Sequence, residues 1–177
     1  MNQTKSCCES FVQNTNIVLP PDTNSYGTLF GGKLMEYIDE AAGISAMRHA
    51  RRHVVTASTD SVDFLHPIYE GNSVCLEAFV TYTGRSSMEV FVKVIAEDLL
   101  SGERHVCALS FLTMVAIDEN NRPVAVPQVV PETEVEKQLF SSAVKRAEIR
   151  KKRRQDTEKM ARDFGAALPR CPILSLR

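Results

Sequence analysis

A chain of 177 residues, 44% hydrophobic and 24% charged, has the length and composition of one globular domain with modest extensions, which excludes disorder and fibrous structure. The net charge of −1 conceals an acidic body and a basic tail, because the sequence from residue 145 onward carries 11 Lys and Arg against 4 Asp and Glu. No run approaches ~18 consecutive apolar residues, which excludes a membrane-spanning helix.

The cysteines and the first residues predict a cytoplasmic protein. The five cysteines form neither a disulfide framework nor a CxxC metal pattern, so reduced thiols are expected. The sequence from Met1 to Glu9 has no apolar core that could act as a secretory signal. His49 and His53 have the i, i+4 spacing of zinc ligands, but arginines lie between them and no carboxylate or cysteine motif is near. No metal site is therefore expected.

The pattern along the chain predicts one long helix among five strands. Residues 10–19 are predicted to form a first strand, followed by a loop rich in turn formers. From about residue 32 to 51, apolar side chains recur at helical spacing without an intervening proline, which predicts the helix. Alternating and β-branched residues then predict four more strands, over residues 54–64, 74–81, 88–96 and 105–117. The short loops between them favour an antiparallel meander.

The last part of the chain is predicted to be a connector and a helix. Residues 123–131 have no regular pattern and are expected to be an irregular connector. Thr133-Glu-Val-Glu136 has the pattern of a capping box, which predicts a helix start. This helix runs into the basic residues 150–154, for which a solvated helix end is the favoured interpretation. We therefore predict a domain over residues 1–130 and a helical basic extension over residues 131–177.

These elements predict an α+β fold. A helix of about 20 residues is ~30 Å long, and the economical packing wraps a curved antiparallel sheet around it so that its apolar stripe is buried. A curved sheet around one long central helix is the hotdog arrangement. The basic C-terminal helix is added to this arrangement.

Asp39 is the anomaly of the predicted central helix. It shares a face with Ala42 and Ala46, and a carboxylate among small apolar residues is costly to bury unless it is paired or used. Such a position suits a general base. The alternative is that Asp39 lies at the edge of this face and contributes to solubility, as expected for Glu36 and Glu40.

Glycines, an asparagine and one turn are the other candidate site residues. Gly31 and Gly32 open the helix, where free N–H groups suit an anion or a developing oxyanion, although an ordinary glycine-rich helix start is the alternative. Asn24 lies in the preceding loop, where asparagine usually has a turn role. A hairpin turn is expected between two strands, and its arginine and hydroxyls could bind phosphate. We call this segment the 84–87 turn, made of Gly84, Arg85, Ser86 and Ser87.

Seven short segments form an ordered set along the chain. They are Pro21-Asp-Thr-Asn24, Leu29-Phe-Gly-Gly32, Ile38-Asp39-Glu-Ala-Ala-Gly43, Val54-Val-Thr-Ala57, Phe64-Leu-His-Pro67, Gly71 and Gly84-Arg-Ser-Ser87. Taken together, these segments resemble the hotdog-fold acyl-CoA thioesterases, most closely the bacterial cytosolic acyl-CoA hydrolases that are related to the brain-type enzyme. The resemblance covers about residues 10–125, and the segments occur in the order of the family.

The resemblance implies that the protein hydrolyses an acyl-CoA to free coenzyme A and a carboxylic acid. It implies that Asp39 is the catalytic base or nucleophile, and that Asn24 acts across a dimer interface. It also implies that the start of the helix binds the oxyanion and that dimers assemble into a trimer of dimers. No cofactor is implied beyond the coenzyme A of substrate and product. The implied residues for substrate and coenzyme A are the 84–87 turn, Phe64 and Pro67.

Two alternative functions remain open at this point. A hotdog hydratase or dehydratase typically pairs the acid with a histidine, but His49 lies ten residues from Asp39 and on the wrong turn. A non-catalytic acyl-CoA sensor could use its basic tail to bind nucleic acid. No aromatic residues interleave the basic residues 150–154, so nucleic acid is not expected as a partner.

Overall fold

The structure is a computed structural model that describes residues 4–165. The chain divides into two compact units, one that ends at Ala143 and one that begins at Val144. The helix after residue 130 begins inside the first unit, and the predicted division into residues 1–130 and 131–177 stays a prediction. Cys171 and the end of the predicted basic extension lie outside the described residues.

The predicted helices and long strands are confirmed, with ends that differ by a few residues. The helices are α1 (Gly31–Ala50) and α2 (Glu134–Phe164). The strands are β1 (Thr4–Ser6), β2 (Val12–Ile17), β3 (His53–Phe64), β4 (Ser73–Thr83), β5 (Ser87–Glu97), β6 (Arg104–Ile117) and β7 (Gln128–Val130).

Five strands form an antiparallel sheet in the order β2-β4-β5-β6-β3. The predicted meander therefore holds only for β4, β5 and β6. It is wrong for β3, which pairs with β6 instead of β4, because β2 already occupies the other edge of β4. The predicted irregular connector is also wrong in part, since β7 lies within it and pairs in parallel with β1.

The core lies between α1 and the concave face of the sheet. α1 contacts all five strands of this sheet, and small buried side chains such as Ala41, Ala42 and Ala46 let the strands approach it closely. Alternate residues of the two central strands, among them Val80 and Val92, are fully buried against it. This is the predicted hotdog fold, with the α+β class confirmed.

The predicted capping box is present at the start of α2. The Thr133 N–H donates to Glu136 Oε2 at 2.8 Å, and the Glu136 N–H donates to Thr133 Oγ1 at 3.3 Å. Ala143 is fully buried and the Phe140 ring lies 5.6 Å from the Tyr82 ring. Across residues 4–165, neither helix is apolar enough over a sufficient length to cross a membrane.

His49 ties the last turn of α1 to the segment that precedes β7. Its side chain is fully buried, and Nε2 lies 2.9 Å from the carbonyl oxygen of Pro127. The Lys5 ammonium donates to the His49 carbonyl at 2.7 Å, so β1 is held at the same point. Burial lowers the pKa of the His49 imidazole, and the Pro127 carbonyl opposes this effect.

The pKa of His49 predicts that the folded state loses stability in mild acid. Because the unfolded chain has the higher pKa, about 6.5, it binds the proton first, so this contribution is complete above that pH and falls below it. We expect the Tm to fall between pH 7 and pH 5 and His49→Gln to flatten that dependence. Thermal unfolding at several pH values measures both, with the exposed His53→Gln as the matched control. Equal pH dependence in the two variants would contradict the prediction.

Candidate active site

Asp39 lies on the exposed side of α1 and is held by a threonine of the neighbouring strand. Thr56 Oγ1 on β3 donates to Asp39 Oδ1 at 2.7 Å. Both side chains line an open groove of about 530 Å³, together with Gly43 and Met114 among others. In one protomer the carboxylate is therefore exposed, and the expected burial among small apolar residues is wrong, because Ala42 faces the sheet while Asp39 faces the groove.

Thr56 is a candidate site residue that local sequence patterns do not reveal. It belongs to one of the segments that carry the family resemblance, but that resemblance implies no role for it. Its only distinctive signal is a hydroxyl in a strand of β-branched residues, which is common in sheets. The register of β3 and the rotation of α1 together bring it to Asp39, and neither can be read from a local pattern.

A second cavity lies at the start of α1 and brings four of the predicted site residues together. It has a volume of about 370 Å³ and an apolar lining that includes Leu34. Phe64 packs close to the helix start, since a Cβ on Gly31 would lie 3.5 Å from its Cζ. The predicted residues in this lining are Asn24, Gly31, Phe64 and Pro67.

The Asn24 side chain is fixed by its own loop, which confirms the turn role that asparagine usually has. Its Nδ2 donates to Thr28 Oγ1 at 2.9 Å, and its Oδ1 accepts from the Tyr26 N–H at 2.9 Å. The carboxamide is therefore held at the edge of the cavity in one orientation. A fixed amide dipole at the wall of a cavity can orient a ligand.

The first two amides of α1 are available to a ligand. The Lys33 and Leu34 N–H groups both donate to the Phe30 carbonyl, at 2.9 and 3.1 Å. Within the described part of the chain, the Gly31 and Gly32 N–H groups have no acceptor. Two free donors and the positive end of the helix dipole suit a negative charge, and the oxyanion role of this helix start stays a prediction.

The 84–87 turn joins β4 to β5, as expected. Gly84 is close to the end of the turn, since a Cβ there would lie 2.7 Å from Ser87 Oγ. Ser87 pairs with Val115 of β6, which pairs with Val55 of β3. Two strand spacings of ~4.8 Å therefore place Ser87 about 10 Å from Val55, the neighbour of Thr56. The turn and the Asp39–Thr56 pair lie at the same end of the sheet.

Within one protomer the predicted site residues thus form two groups. Asn24, Gly31 and Phe64 lie at the first end of α1. Asp39 lies further along the helix, and its partner Thr56 is at the same end of the sheet as the 84–87 turn. Asp39 is eight positions after Gly31 in the helix, a rise of ~12 Å. The structure of the single chain does not bring Asn24 to Asp39.

Relatives of this chain are known both from their sequences and from solved structures. The family model of the Thioesterase superfamily matches residues 26–103. The chain is 58% identical over 167 residues to YkhA of Bacillus subtilis, an uncharacterized acyl-CoA thioester hydrolase, and the match covers 94% of this chain and 97% of that protein. The chain belongs to the acyl-CoA thioester hydrolases of the thioesterase superfamily.

Solved structures of other acyl-CoA hydrolases share the fold of this thioesterase. A hexameric acyl-CoA thioesterase, solved in the apo form, has a TM-score of 0.84 at 54% identity, and the match covers 85% of this chain and 97% of that one. The acyl-CoA hydrolase of Staphylococcus aureus, in complex with butyryl coenzyme A, coenzyme A and coenzyme A disulfide, has a TM-score of 0.87 at 46% identity. That match covers 91% of this chain and 98% of the other.

Three alanine variants of the Staphylococcus aureus enzyme are informative about spacing. They replace an asparagine, an aspartate and a threonine, which lie 15 and then 17 positions apart in that protein. Asn24, Asp39 and Thr56 of this thioesterase have the same residue types at the same spacing. The hydrogen-bonded pair found in the groove thus corresponds to two of the three positions replaced in the relative.

The histidines that were considered for a zinc site or for a hydratase lie away from Asp39. His49 is fully buried and bonded to Pro127, while His53 is exposed, so the two do not face one ligand. From residue 4 to residue 165, no group of three or more His, Cys, Asp or Glu side chains could hold a metal ion. The acid and the histidine that a hydratase would pair are on different sides of α1.

Proposed function

We propose that this thioesterase hydrolyses acyl-CoA to coenzyme A and a carboxylic acid, with Asp39 as the general base. The observation that carries the proposal is the Asp39–Thr56 hydrogen bond of 2.7 Å in an open groove. It joins two residues whose types and spacing match residues replaced in the Staphylococcus aureus acyl-CoA hydrolase.

The geometry of Asp39 suits the activation of water. Thr56 binds Oδ1, whereas Oδ2 has no partner among residues 4–165, and the Asp39 side chain lines the groove. In the proposed reaction Oδ2 takes a proton from water as the oxygen adds to the thioester carbonyl. The tetrahedral intermediate then expels the coenzyme A thiolate, which takes up a proton to leave as the thiol. This hydrolysis requires water and no metal or redox cofactor.

The start of α1 supplies the proposed oxyanion site. The Gly31 and Gly32 N–H groups have no acceptor among residues 4–165, and Gly31 lines the cavity at the start of the helix. The helix dipole adds to the effect of these donors. Donors aimed at a developing oxyanion each lower the activation barrier by roughly 3–4 kcal/mol. The Asn24 carboxamide, fixed by its loop, is proposed to orient the thioester or the attacking water.

The proposed site is completed by a second copy of the chain. β3 is an edge strand of twelve residues, and among residues 4–165 no strand of the same protomer pairs with its edge opposite β6. An exposed long edge favours pairing with another strand. Antiparallel pairing of two copies about the middle of β3 places the Phe64 end of each beside the His53 end of the other. The Asn24 cavity of one copy then approaches the Asp39 groove of its partner.

We propose that these dimers assemble into a trimer of dimers, as the hexameric relative supports. The 84–87 turn is proposed to hold the coenzyme A phosphates, because the exposed Arg85 guanidinium has no ion pair among residues 4–165. Phe64 and Pro67 are proposed to line the acyl site. The cytoplasmic location stays a prediction.

Thiol release from a panel of acyl-CoAs with short to long chains tests this function directly. The expected result is turnover of at least part of the panel, with release of one thiol for each carboxylic acid formed. Binding of coenzyme A without thiol release from any member of the panel would reject hydrolysis in favour of a non-catalytic acyl-CoA sensor.

Thr56 is expected to act on the reaction through Asp39. Removing a hydrogen bond to a charged group costs about 1.5–3 kcal/mol, so Thr56→Val should lower kcat by about 10- to 100-fold. Thr56→Ser keeps the hydroxyl and should retain most of the activity. Steady-state kinetics of the two variants side by side measure the difference. Equal kcat values for Val and Ser at this position would contradict a role for the hydroxyl.

A further inference from the structure

Glu89 is the one acidic side chain that is buried among residues 4–165, with 1% of its surface exposed. It lies in β5 between Met88 and Val90, which belong to the core that covers α1. Because side chains alternate along a strand, Glu89 lies on the opposite face of the sheet. A carboxylate is costly to bury unless it is hydrogen-bonded, so its position needs a physical reason. The proposed reaction uses it in no step.

One hydrogen-bond partner of Glu89 is a bulged residue of β4. Val80 pairs with Val90 and Tyr82 pairs with Glu89, so Thr81 is an extra residue between two paired ones. Thr81 is fully buried, and its Oγ1 lies 3.0 Å from Glu89 Oε1 and 3.3 Å from the Glu89 carbonyl oxygen. The carboxylate and the hydroxyl therefore meet at the bulge.

The bulge lies three residues before the 84–87 turn. A bulge bends and twists its strand, and it redirects the residues that follow it. Beyond it, the Val129 N–H of β7 donates to Thr83 Oγ1 at 3.1 Å, which holds the end of β4. Two contacts thus set the direction in which β4 enters the turn. One is the bulge at Thr81, and the other is the hydrogen bond between β7 and Thr83.

The main chain of the turn is itself anchored, while its functional side chains are free. The Val126 N–H donates to the Arg85 carbonyl at 3.0 Å and the Ala116 N–H donates to the Ser86 carbonyl at 2.9 Å. The Arg85 side chain has no partner within the described part of the chain. A rigid main chain that carries a free guanidinium can bind a phosphate in one fixed geometry.

We infer that Thr81 and Glu89 are positioning residues that direct the 84–87 turn towards the phosphates of coenzyme A. The inference rests on the proposed function, in which this turn holds the phosphates. Without the hydroxyl–carboxylate contact the extra residue can move along β4, and a shift of one residue reverses the faces of the side chains that follow. Neither residue is proposed to touch the substrate.

The test compares KM for two thioesters of the same acyl group. One is the acyl-CoA and the other is the N-acetylcysteamine thioester, which lacks the nucleotide and its phosphates. Thr81→Val removes one hydrogen bond to a charged group and is therefore expected to raise KM for the acyl-CoA about 10-fold. The kcat for the acyl-CoA and the KM for the N-acetylcysteamine thioester are expected to stay unchanged. Thr81→Ser, which keeps the hydroxyl, is expected to restore the KM of the wild type.

Two further variants separate positioning from general stability. Ser110→Ala removes a buried hydrogen bond of 2.9 Å to the Ser61 carbonyl, away from the turn, and is expected to lower the Tm with KM unchanged. If Thr81→Val does not fold, Glu89→Met replaces it, because methionine has a similar length but no oxygen to accept the Thr81 hydroxyl. The same rise of KM is expected, for the acyl-CoA alone.

The variant Arg85→Gln distinguishes a failure of this inference from a failure of the proposed turn site. If Arg85→Gln raises KM for the acyl-CoA while the Thr81 and Glu89 variants do not, the inference is overturned and the proposed turn site stands. An equal rise of KM for both thioesters in Thr81→Val also overturns the inference, because the thioester without phosphates responds only to a general structural defect. If Arg85→Gln itself changes nothing, both the turn site and the inference fail.

Discussion

Replacement of Asp39 by asparagine is expected to lower kcat for thiol release from acyl-CoA by at least about 100-fold, since a positioned base contributes 10²–10⁴-fold. The variant keeps the shape of the side chain and an oxygen that can accept the Thr56 hydrogen bond, now 2.7 Å long. It loses the ability to take a proton from water. The loss should therefore appear in kcat for every chain length, with the Tm close to that of the wild type.

The matched control for Asp39 is Glu40. This neighbouring carboxylate is exposed and lines the same groove, but it has no hydrogen bond to Thr56. Glu40→Gln removes one negative charge from the groove and should leave kcat nearly unchanged. If the two variants lose activity to the same extent, the effect belongs to the charge of the groove, and the role of Asp39 as the base is rejected.

Mixed oligomers of two inactive variants should regain activity. If each site takes Asp39 from one protomer and Asn24 from its partner, co-expressed Asp39→Asn and Asn24→Ala chains form mixed dimers with one intact and one doubly altered site. Random pairing then predicts about a quarter of the wild-type activity, because half of the dimers are mixed and each has one of two sites intact. Thiol release from the purified mixture measures it.

The controls for this experiment are the two variants expressed alone, each of which should be nearly inactive. Mixing chains that both carry Asp39→Asn provides the background at the same protein concentration. Activity of the Asp39–Asn24 mixture that stays at this background would place both residues of a site in the same protomer. Since one protomer keeps Asn24 and Asp39 in separate groups, such a result would also require a rearrangement of the chain.

The regular elements of the fold could be predicted because their signals are local. The apolar residues of α1 recur with the period of a helix, and those of β4 and β5 alternate, so each element is encoded by neighbours in the sequence. The start of α2 was predicted for the same reason, since Thr133 and Glu136 are three residues apart and bond to each other.

The pairing of the strands could not be predicted in this way. β3 and β6 pair across more than forty intervening residues, because β2 occupies the edge of β4 that a meander would leave to β3. β7 has only three residues between prolines, too few for a pattern, and it is a strand only because β1 lies beside it.

The candidate site could also be predicted only in part. The sequence by itself identified Asp39, Asn24, the glycine pair and the 84–87 turn, because these residues lie in short segments with a family order. Only the tertiary structure showed the contact of Asp39 with Thr56, the exposure of Asp39, and the burial of Glu89 at a bulge. These features depend on the rotation of the helix over the sheet and on the position of the extra residue in the pairing of two strands. Long-range packing sets both, so neither can be predicted from the periodicity of a short segment.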